Sequence, residues 1–474
     1  MKHQKKKLER GARKSKTFGL KRLSFQPEVE VRIPFQTGKL LLKGLEAPAS
    51  LYHEHVVFAS CALSSIPNKY ILTLHSLYPV PEELYTYEQT ETYWDPNFTA
   101  EVISKVDELR LGIVDFHLHP YSRKPELSEI DKAGFLNLLP TLKRVLPERP
   151  RGSFIVGADL NIGGLLSMPL SKGGETLKVT SSRWLGSPII YRPARKLAIP
   201  PRIHTFDRQQ ILLGSEGQKM LYSTTLGVVG SGGGGSHVVE QAAYAGFGRL
   251  ILVDPDSIED SNLSRLIGAN PKDIQKLKVD VLGKHAKVIN PDVRIEKVPE
   301  RFPSENGISA LKKSDIVIGC LDTYHARQEL LKFCWRNLIP LIDIGVGIIL
   351  GSGTPKKAKR VEGHVHVYLP GGPCMWCTHL LSQERLNAED GGRGPEYMEG
   401  AVSPAQVVSF NGAVASLALI EAMQLTTGFL ERESASSFQQ YNALKHSLVE
   451  MFPAKRESCN FCNSELGKGD STWE

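Results

Sequence analysis

The chain has no uninterrupted apolar run of the roughly 18–20 residues that span a bilayer. Its N-terminus also lacks the apolar core of a secretory signal. The expectation from both absences is a cytoplasmic protein without a membrane partner. Cysteine is scarce: seven in 474 residues, four of them in two CxxC pairs. That usage suits metal binding better than a disulfide framework. A basic body is missing too. The net charge is +7, but residues 1–22 hold ten Lys/Arg against one Glu (+9), so the remainder sums to −2. Nucleic acid is therefore not the expected partner, and residues 1–25 are expected to be a disordered basic tail. Internal repeats are absent. What is present is an ordinary globular composition, 41% hydrophobic and 23% charged, at a length sufficient for two or three domains.

Pattern divides the chain. Residues 26–158 read as an α+β unit with strands over 29–33, 40–42, 55–62, 70–74, 111–116 and 153–156. A helix is expected over 131–145, with Leu136, Leu138, Leu139, Leu142 and Val145 available for a core and Pro140 kinking or splitting it. Residues 159–204, rich in Gly, Ser and Pro, read as a linker. Residues 205–464 read as α/β, with strands over 315–319 and 341–344 and a long apolar helix over 405–426. Residues 465–474 read as a tail.

In His117-Leu118-His119-Pro120 the histidines alternate with a leucine, so on a strand both rings face one side. Asp131 follows at a helix start, with a carboxylate to turn toward the same point. Two His and one Asp are three ligands for a zinc that keeps its fourth position for water. Ser128 is the candidate donor to an oxyanion. Glu54, heading a strand, is the candidate general base, with Glu46 the fallback. A strand Glu, HxHP and Ser-x-x-Asp together resemble the JAMM motif of the JAB/MPN metalloprotease family, over about residues 26–157. The resemblance implies a zinc peptidase that cuts isopeptide or peptide bonds after ubiquitin-like modifiers. Eight residues separate His119 from Ser128, one more than the family's usual spacing. Two surface histidines beside a turn, or a catalytically dead relative, are the alternatives.

A second pattern runs from Leu226 to Arg265. A short apolar strand leads into Gly230, Gly232, Gly233 and Gly235, which let the backbone turn and approach a phosphate. The helix behind them points its N–H groups at that anion. Asp254 ends the next strand, where a ribose hydroxyl needs an acceptor. Such a fingerprint alone reads most often as an NAD dehydrogenase. Asn262, Arg265, Lys276, Lys278 and Asp322 change that reading. Cations beside the phosphates suit cleavage of ATP between its α and β phosphates, where charge builds on the departing pyrophosphate. Asp322 suits Mg2+.

The Phe206-Asp-Arg208-Gln opener, GxGGxG, LVDxD (Asp254 and Asp256), SNLxR, the following Lys and the Asp of CLDT resemble the ThiF/MoeB-type activating enzymes. The resemblance covers about 206–464. It implies a Rossmann-like adenylation domain that activates the C-terminal glycine of a ubiquitin-like protein. Asp254 would hold the ribose, Arg265 and Lys278 the phosphates, and Asp322 the magnesium. Arg208 would reach a neighbouring protomer, hence a homodimer. Leu266 stands where Gln is common, and Gln275 where Gly is common.

Cys374, Cys377, Cys459 and Cys462 suit one closed structural zinc. Many members of that family also carry a nucleophilic cysteine just before a Gly-Val-x-x-Pro segment, and the corresponding residues 396–404 hold none. The expected product is then the acyl-adenylate, with an ester on Ser403 the other option; Cys61 lies in the other domain, and Cys320 and Cys334, in strand and helix patterns, read as core.

The expected architecture is thus α/β: an N-terminal JAB/MPN-like α+β domain followed by a Rossmann-like adenylation domain with a four-cysteine zinc knuckle. The leading function is a bifunctional enzyme of a bacterial ubiquitin-like modifier system. It would use ATP, Mg2+ and two Zn2+, one catalytic and one structural, with a β-grasp protein as substrate and a conjugating enzyme as a further partner. Alternatives are a sulfur-carrier adenylyltransferase for cofactor or cysteine synthesis, a small-molecule or tRNA-base adenylating enzyme, and a non-catalytic scaffold.

Overall fold

The computed structural model describes residues 27–46, 54–88, 91–119, 121–123, 125–193, 196–351, 354, 356–391, 405–431 and 438–471. The basic tail and Ser403 lie outside the described residues.

The first unit contains β1 (Glu28–Ile33), α1 (Phe35–Leu45), β2 (Val57–Ile66), β3 (Lys69–Pro79), β4 (Tyr85–Glu88), β5 (Glu91–Trp94) and α2 (Pro96–Glu108). Next come β6 (Gly112–His119), α3 (Glu129–Val145) and β7 (Arg151–Gly157). The chain then adds β8 (Ile162–Ser167), β9 (Thr176–Lys178), β10 (Ser181–Trp184) and β11 (Ile190–Arg192). All but the β4–β5 hairpin join one sheet, ordered β11-β10-β1-β3-β2-β6-β7-β8-β9.

Three expectations are corrected here. Residues 159–204 are not a linker: four strands lie there, and β10 pairs with β1 in parallel. These strands are short, and β10 buries Ser181 and Ser182, so no apolar alternation betrayed them. Residues 40–42 are helical, because Gly38, Leu41 and Leu45 recur at the spacing of one buried helix face. In α3 the buried residues are Phe135, Leu139 and Leu142, while Leu136, Leu138 and Val145 are exposed. α3 runs unbroken through Pro140, which lies on its solvent side.

Alternation along the strands sorts two faces. Val29, Val31, Ile33, Leu72 and Leu74 pack with Leu41 and Leu45 of α1. On the other face Glu30, Arg32, Ser64 and Thr73 meet the second half of the chain. Arg32 Nη1 donates to Asn337 O at 3.0 Å, and Thr73 Oγ1 to Gly467 O at 2.7 Å. Arg183 pairs with Asp315 at 2.6 Å. A polar sheet face, which alone would be solvated, is buried as a seam.

The second unit opens with α4 (Asp207–Ser223), β12 (Thr225–Val229), α5 (Gly233–Ala245), β13 (Arg249–Val253), α6 (Lys278–Ile289), β14 (Arg294–Val298) and α7 (Glu305–Leu311). It continues with β15 (Ile316–Gly319), α8 (Tyr324–Arg336), β16 (Leu341–Leu350), β17 (Ala358–Tyr368), α9 (Gln383–Asp390) and α10 (Val408–Thr427). It ends with β18 (Phe438–Asn442), β19 (Ser447–Met451) and α11 (Asn460–Glu465). The sheet order is β14-β13-β12-β15-β16-β17-β18-β19. From β14 to β16 the pairs are parallel, and from β16 to β19 antiparallel. Strand order reverses between β12 and β15, the switch point at which α/β sheets open a crevice.

By length and composition α10 would cross a membrane, contrary to the expectation that no such segment exists; here it packs on α5 and β16 as a core helix. The expected C-terminal tail is also corrected. Gly467 N and Gly469 N donate to Trp335 O (3.0 Å) and Arg336 O (2.8 Å), and Asp470 bridges Lys312 and Ser64. Residues 466–471 wedge both units together.

Candidate functional site

The glycine turn lies at the carboxyl end of β12. Gly230 has φ 93°, a left-handed backbone that favours glycine, and an added Cβ there would overlap Cys320 O. A Cβ at Gly235 would overlap Gly230 O, so this glycine seats α5 on its strand. Gly230, Gly232 and Gly233 line a cleft of about 700 Å3, whose wall also includes Asp254, Asp256, Asn262, Arg265, Lys278 and Asp322. Gly235 lies beneath it.

The polar groups are held locally. Asp254 accepts from Ser231 N at 2.6 Å and Asp256 N at 2.8 Å, and burial raises its carboxyl above the usual range. Lys278, buried at the start of α6, pairs with Asp256 at 2.7 Å. Asp256 therefore serves the cleft by anchoring a cation. Arg265 Nη1 donates to Ser261 O at 2.8 Å. Lys276 is not brought to the cleft, and Arg208, expected to serve a neighbouring protomer, is not among the residues that line it. Lys276 is exposed and pairs with Asp273 at 2.8 Å. Arg208 is exposed on the first turn of α4.

Gln275 has φ 70°, which explains why glycine is favoured there. Leu266 is buried against Ile258 and Val281, filling an apolar plug in place of a polar residue.

No motif marked Arg327. It is buried in the cleft wall, with Nε 3.1 Å from Asp343 Oδ1; His364 Nε2 lies 2.8 Å from Asp343 Oδ2. Burial works to raise the Asp343 carboxyl, but Arg327 and His364 outweigh it and hold it below the usual range. Its one sequence signal was an acid inside an apolar strand.

The other constellation sits at the carboxyl end of β6. Ligand atoms of Glu54, His117 and His119 lie within 4.8 Å of one another. His119 Nε2 is 3.2 Å from Glu54 Oε1, and His117 Nε2 is 3.5 Å from Asp131 Oδ2. Asp131 thus approaches His117, but the clustered set holds Glu54, the expected base, in place of Asp131, the expected third ligand. Ser128 and Asp131 form a capping box: Ser128 N donates to Asp131 Oδ2 (2.8 Å) and Asp131 N to Ser128 Oγ (3.1 Å). Burial would raise the Asp131 carboxyl, yet His117 and Ser128 together hold it well below the usual range. His117 Nε2 is buried, and its approach to Asp131 at 3.5 Å is too long for a well-formed hydrogen bond, which leaves its lone pair or proton poorly satisfied. Glu46, at the end of α1, is not in this cluster.

Asp115 was missed, although it alternates with His117 and His119 on one face. Ser153 Oγ donates to it at 2.8 Å, and burial pushes its carboxyl up to about 6.

The cysteines make a third cluster. All four are buried, with Sγ···Sγ of 3.8 Å (Cys374–Cys377), 3.7 Å (Cys374–Cys459) and 3.7 Å (Cys377–Cys462). Four thiolates about 2.3 Å from one tetrahedral zinc would stand roughly 3.8 Å apart, so the set fits that ion.

A phosphate-type turn at the switch point of a doubly wound sheet defines a nucleotide-binding α/β protein. The ThiF family model matches residues 206–463, more than half of the chain, and the chain belongs to the ThiF family. It is 29% identical over 266 residues to an adenylyltransferase and sulfurtransferase UBA4 of Lodderomyces elongisporus, covering 54% of this chain and 53% of the relative. A SAMP-activating enzyme E1 of Haloferax volcanii is 32% identical over 165 residues, 35% of this chain and 57% of the relative. The chain spans only about half the length of these two. Against a sulfur carrier protein adenylyltransferase of Thermus thermophilus it is 28% identical over 268 residues, 55% of this chain and 90% of the relative. Among solved structures, Escherichia coli MccB with ATP aligns at TM-score 0.44 and 19% identity, over 56% of this chain and 76% of that one.

Proposed function

We propose that the chain is an ATP-dependent adenylyltransferase acting on the C-terminal glycine of a small β-grasp protein. The carrying observation is the cleft, where a glycine turn at the start of α5 is ringed by Arg265, Lys278 and Asp322 within the ThiF match. The carrier's carboxylate oxygen attacks the α-phosphorus, the bond to the β-phosphate oxygen breaks, and pyrophosphate leaves. Arg265 and Lys278 stabilise the charge that accumulates on it. Asp322 would hold Mg2+, which neutralises phosphate charge when bound. The relatives' names weigh toward a sulfur carrier as substrate over a conjugated modifier. Cys61, Cys320 and Cys334 have thiols pushed up by burial, which supports an acyl-adenylate as the product. No conjugating enzyme is needed for that step. Ile211 and Leu212 beside Arg208 are strongly exposed, which favours a homodimer. An ATP-using enzyme of this kind belongs in the cytoplasm.

The test is exchange of labelled pyrophosphate into ATP, with and without a Gly-terminated β-grasp protein. Carrier-dependent exchange, lowered about 100-fold or more by Asp322→Ala, is expected. Absence of exchange in metal-replete protein with every such carrier sinks the proposal.

A second activity is favoured by the cluster on β6. His117, His119 and Asp131 would hold a catalytic zinc, which supplies an activated water when bound. Glu54 would take that water's proton, and Ser128 would face the oxyanion. We propose a JAB/MPN-type peptidase that trims or removes the same carrier.

A further inference from the structure

Among the polar groups around the cleft that have no role in the adenylation proposed above is Asn411. Asn411 lies in the first turn of α10, an otherwise largely apolar helix, where asparagine is a poor helix former. It lines the cleft and is only 5% exposed, yet its amide nitrogen makes no hydrogen bond. A buried donor without a partner is destabilising and uncommon in folded proteins.

Its position supplies a reason. A Cβ added at Gly233 would collide with Asn411 Nδ2, so this amide occupies the space that any side chain at Gly233 would need. Gly233 is the first residue of α5, whose N-cap Gly232 offers no side-chain cap. The amide thus stands beside the free N–H groups of a helix start, where a negative group is favoured. Gln406, from the segment leading into α10, places its Oε1 over the same spot.

We propose that Asn411 is a phosphate-binding residue, donating from Nδ2 to a nucleotide phosphate oxygen seated on the glycine turn. Rotation about the carboxamide's soft terminal torsion turns the donor from the helix start toward that oxygen. The phosphates are then held by elements from both ends of the second unit: α5, which follows its first strand, and α10, about 170 residues later. Arg265 and Lys278 supply charge, while Asn411 supplies a directed neutral donor. The proposal rests on nucleotide binding in this cleft and adds to it the residue that closes α10 over the turn.

The test uses the full chain, zinc-loaded, and calorimetric binding of two probes, α,β-methylene-ATP and adenosine. Asn411→Ala should weaken the triphosphate analogue about 10- to 100-fold, leaving adenosine within about twofold. The near-isosteric Asn411→Asp, which puts a carboxylate beside the phosphates, should weaken the analogue further. Unaltered analogue affinity in both variants overturns the inference, as does an equal loss for adenosine, which would mark a purely structural role. Failure of the wild-type chain to bind the analogue overturns the adenylation reading and this inference with it, a result distinct from wild-type binding with unaffected variants.

Discussion

The two metal-type clusters differ in closure. The four thiols are buried and within 3.7–3.8 Å of their neighbours. At the end of β6 the Glu54 side chain is 47% exposed and that of His119 24%. Closed four-ligand sites hold chains together, while three-ligand sites with an open position do chemistry. Ligand type alone would not have separated the two roles. What separates them is that the thiols join segments 85 residues apart, whereas the histidines stand at one strand end, His117 buried and His119 beside the half-exposed Glu54.

The largest effect is expected at the closed cluster. Cys462→Ser should remove its zinc and most of a binding free energy on the order of 10 kcal/mol. Proteolysis should then cut near residues 452–471, because the wedge between the units loses its anchor. A variant that keeps one zinc there and its protease resistance would break the contrast. At the open cluster His119→Ala should lose one zinc with little change in melting temperature. Glu54→Gln should keep that zinc and lose about 10²- to 10⁴-fold in peptidase rate on a carrier with an extended tail. Unfolding of either variant would make the open site structural.

Between the sites lies the seam. Burial alone would raise the Glu30 carboxyl, but Lys69, Arg183 and Arg32 hold it well below the ordinary range. Because the folded value is depressed, its stabilisation is present above about 4.5 and lost as pH falls through that lower value. Glu30→Gln strands these cations and should cost about 3–5 kcal/mol at neutral pH. Urea unfolding of variant and wild type should converge only as pH falls through that lowered value, with zinc content unaltered at both clusters. The smallest effect falls in the cleft loop. Gln275→Gly relieves a left-handed φ and should stabilise by about 1 kcal/mol, read as a rise in melting temperature at constant zinc content. A changed zinc count would mean that loop and clusters are not separable.

Much of the site was legible from spacing. Alternation put His117 and His119 on one face, the two CxxC pairs announced a four-thiol cluster, and the glycines marked the phosphate turn. Asp322, Arg265 and Lys278 reach the cleft because each follows a strand or turn whose position the motif sets. Lys276 does not, since the turn at Gln275 sends it to solvent. Strands β8 to β11 were hidden because they are short and some are built from small buried residues. Arg327, Asp343 and Asn411 were missed because their importance lies in contacts between residues far apart in the chain.

The sequence by itself determined the local chemistry: which residue types stand at which intervals, hence a phosphate turn, a histidine pair and four thiols. Only the tertiary structure decided which charges share a cleft, that the polar face of the first sheet is a buried seam, and that the last residues wedge two units together. Local spacing sets direction and type through backbone geometry. Burial and pairing across hundreds of residues depend on packing, which no short window of sequence contains.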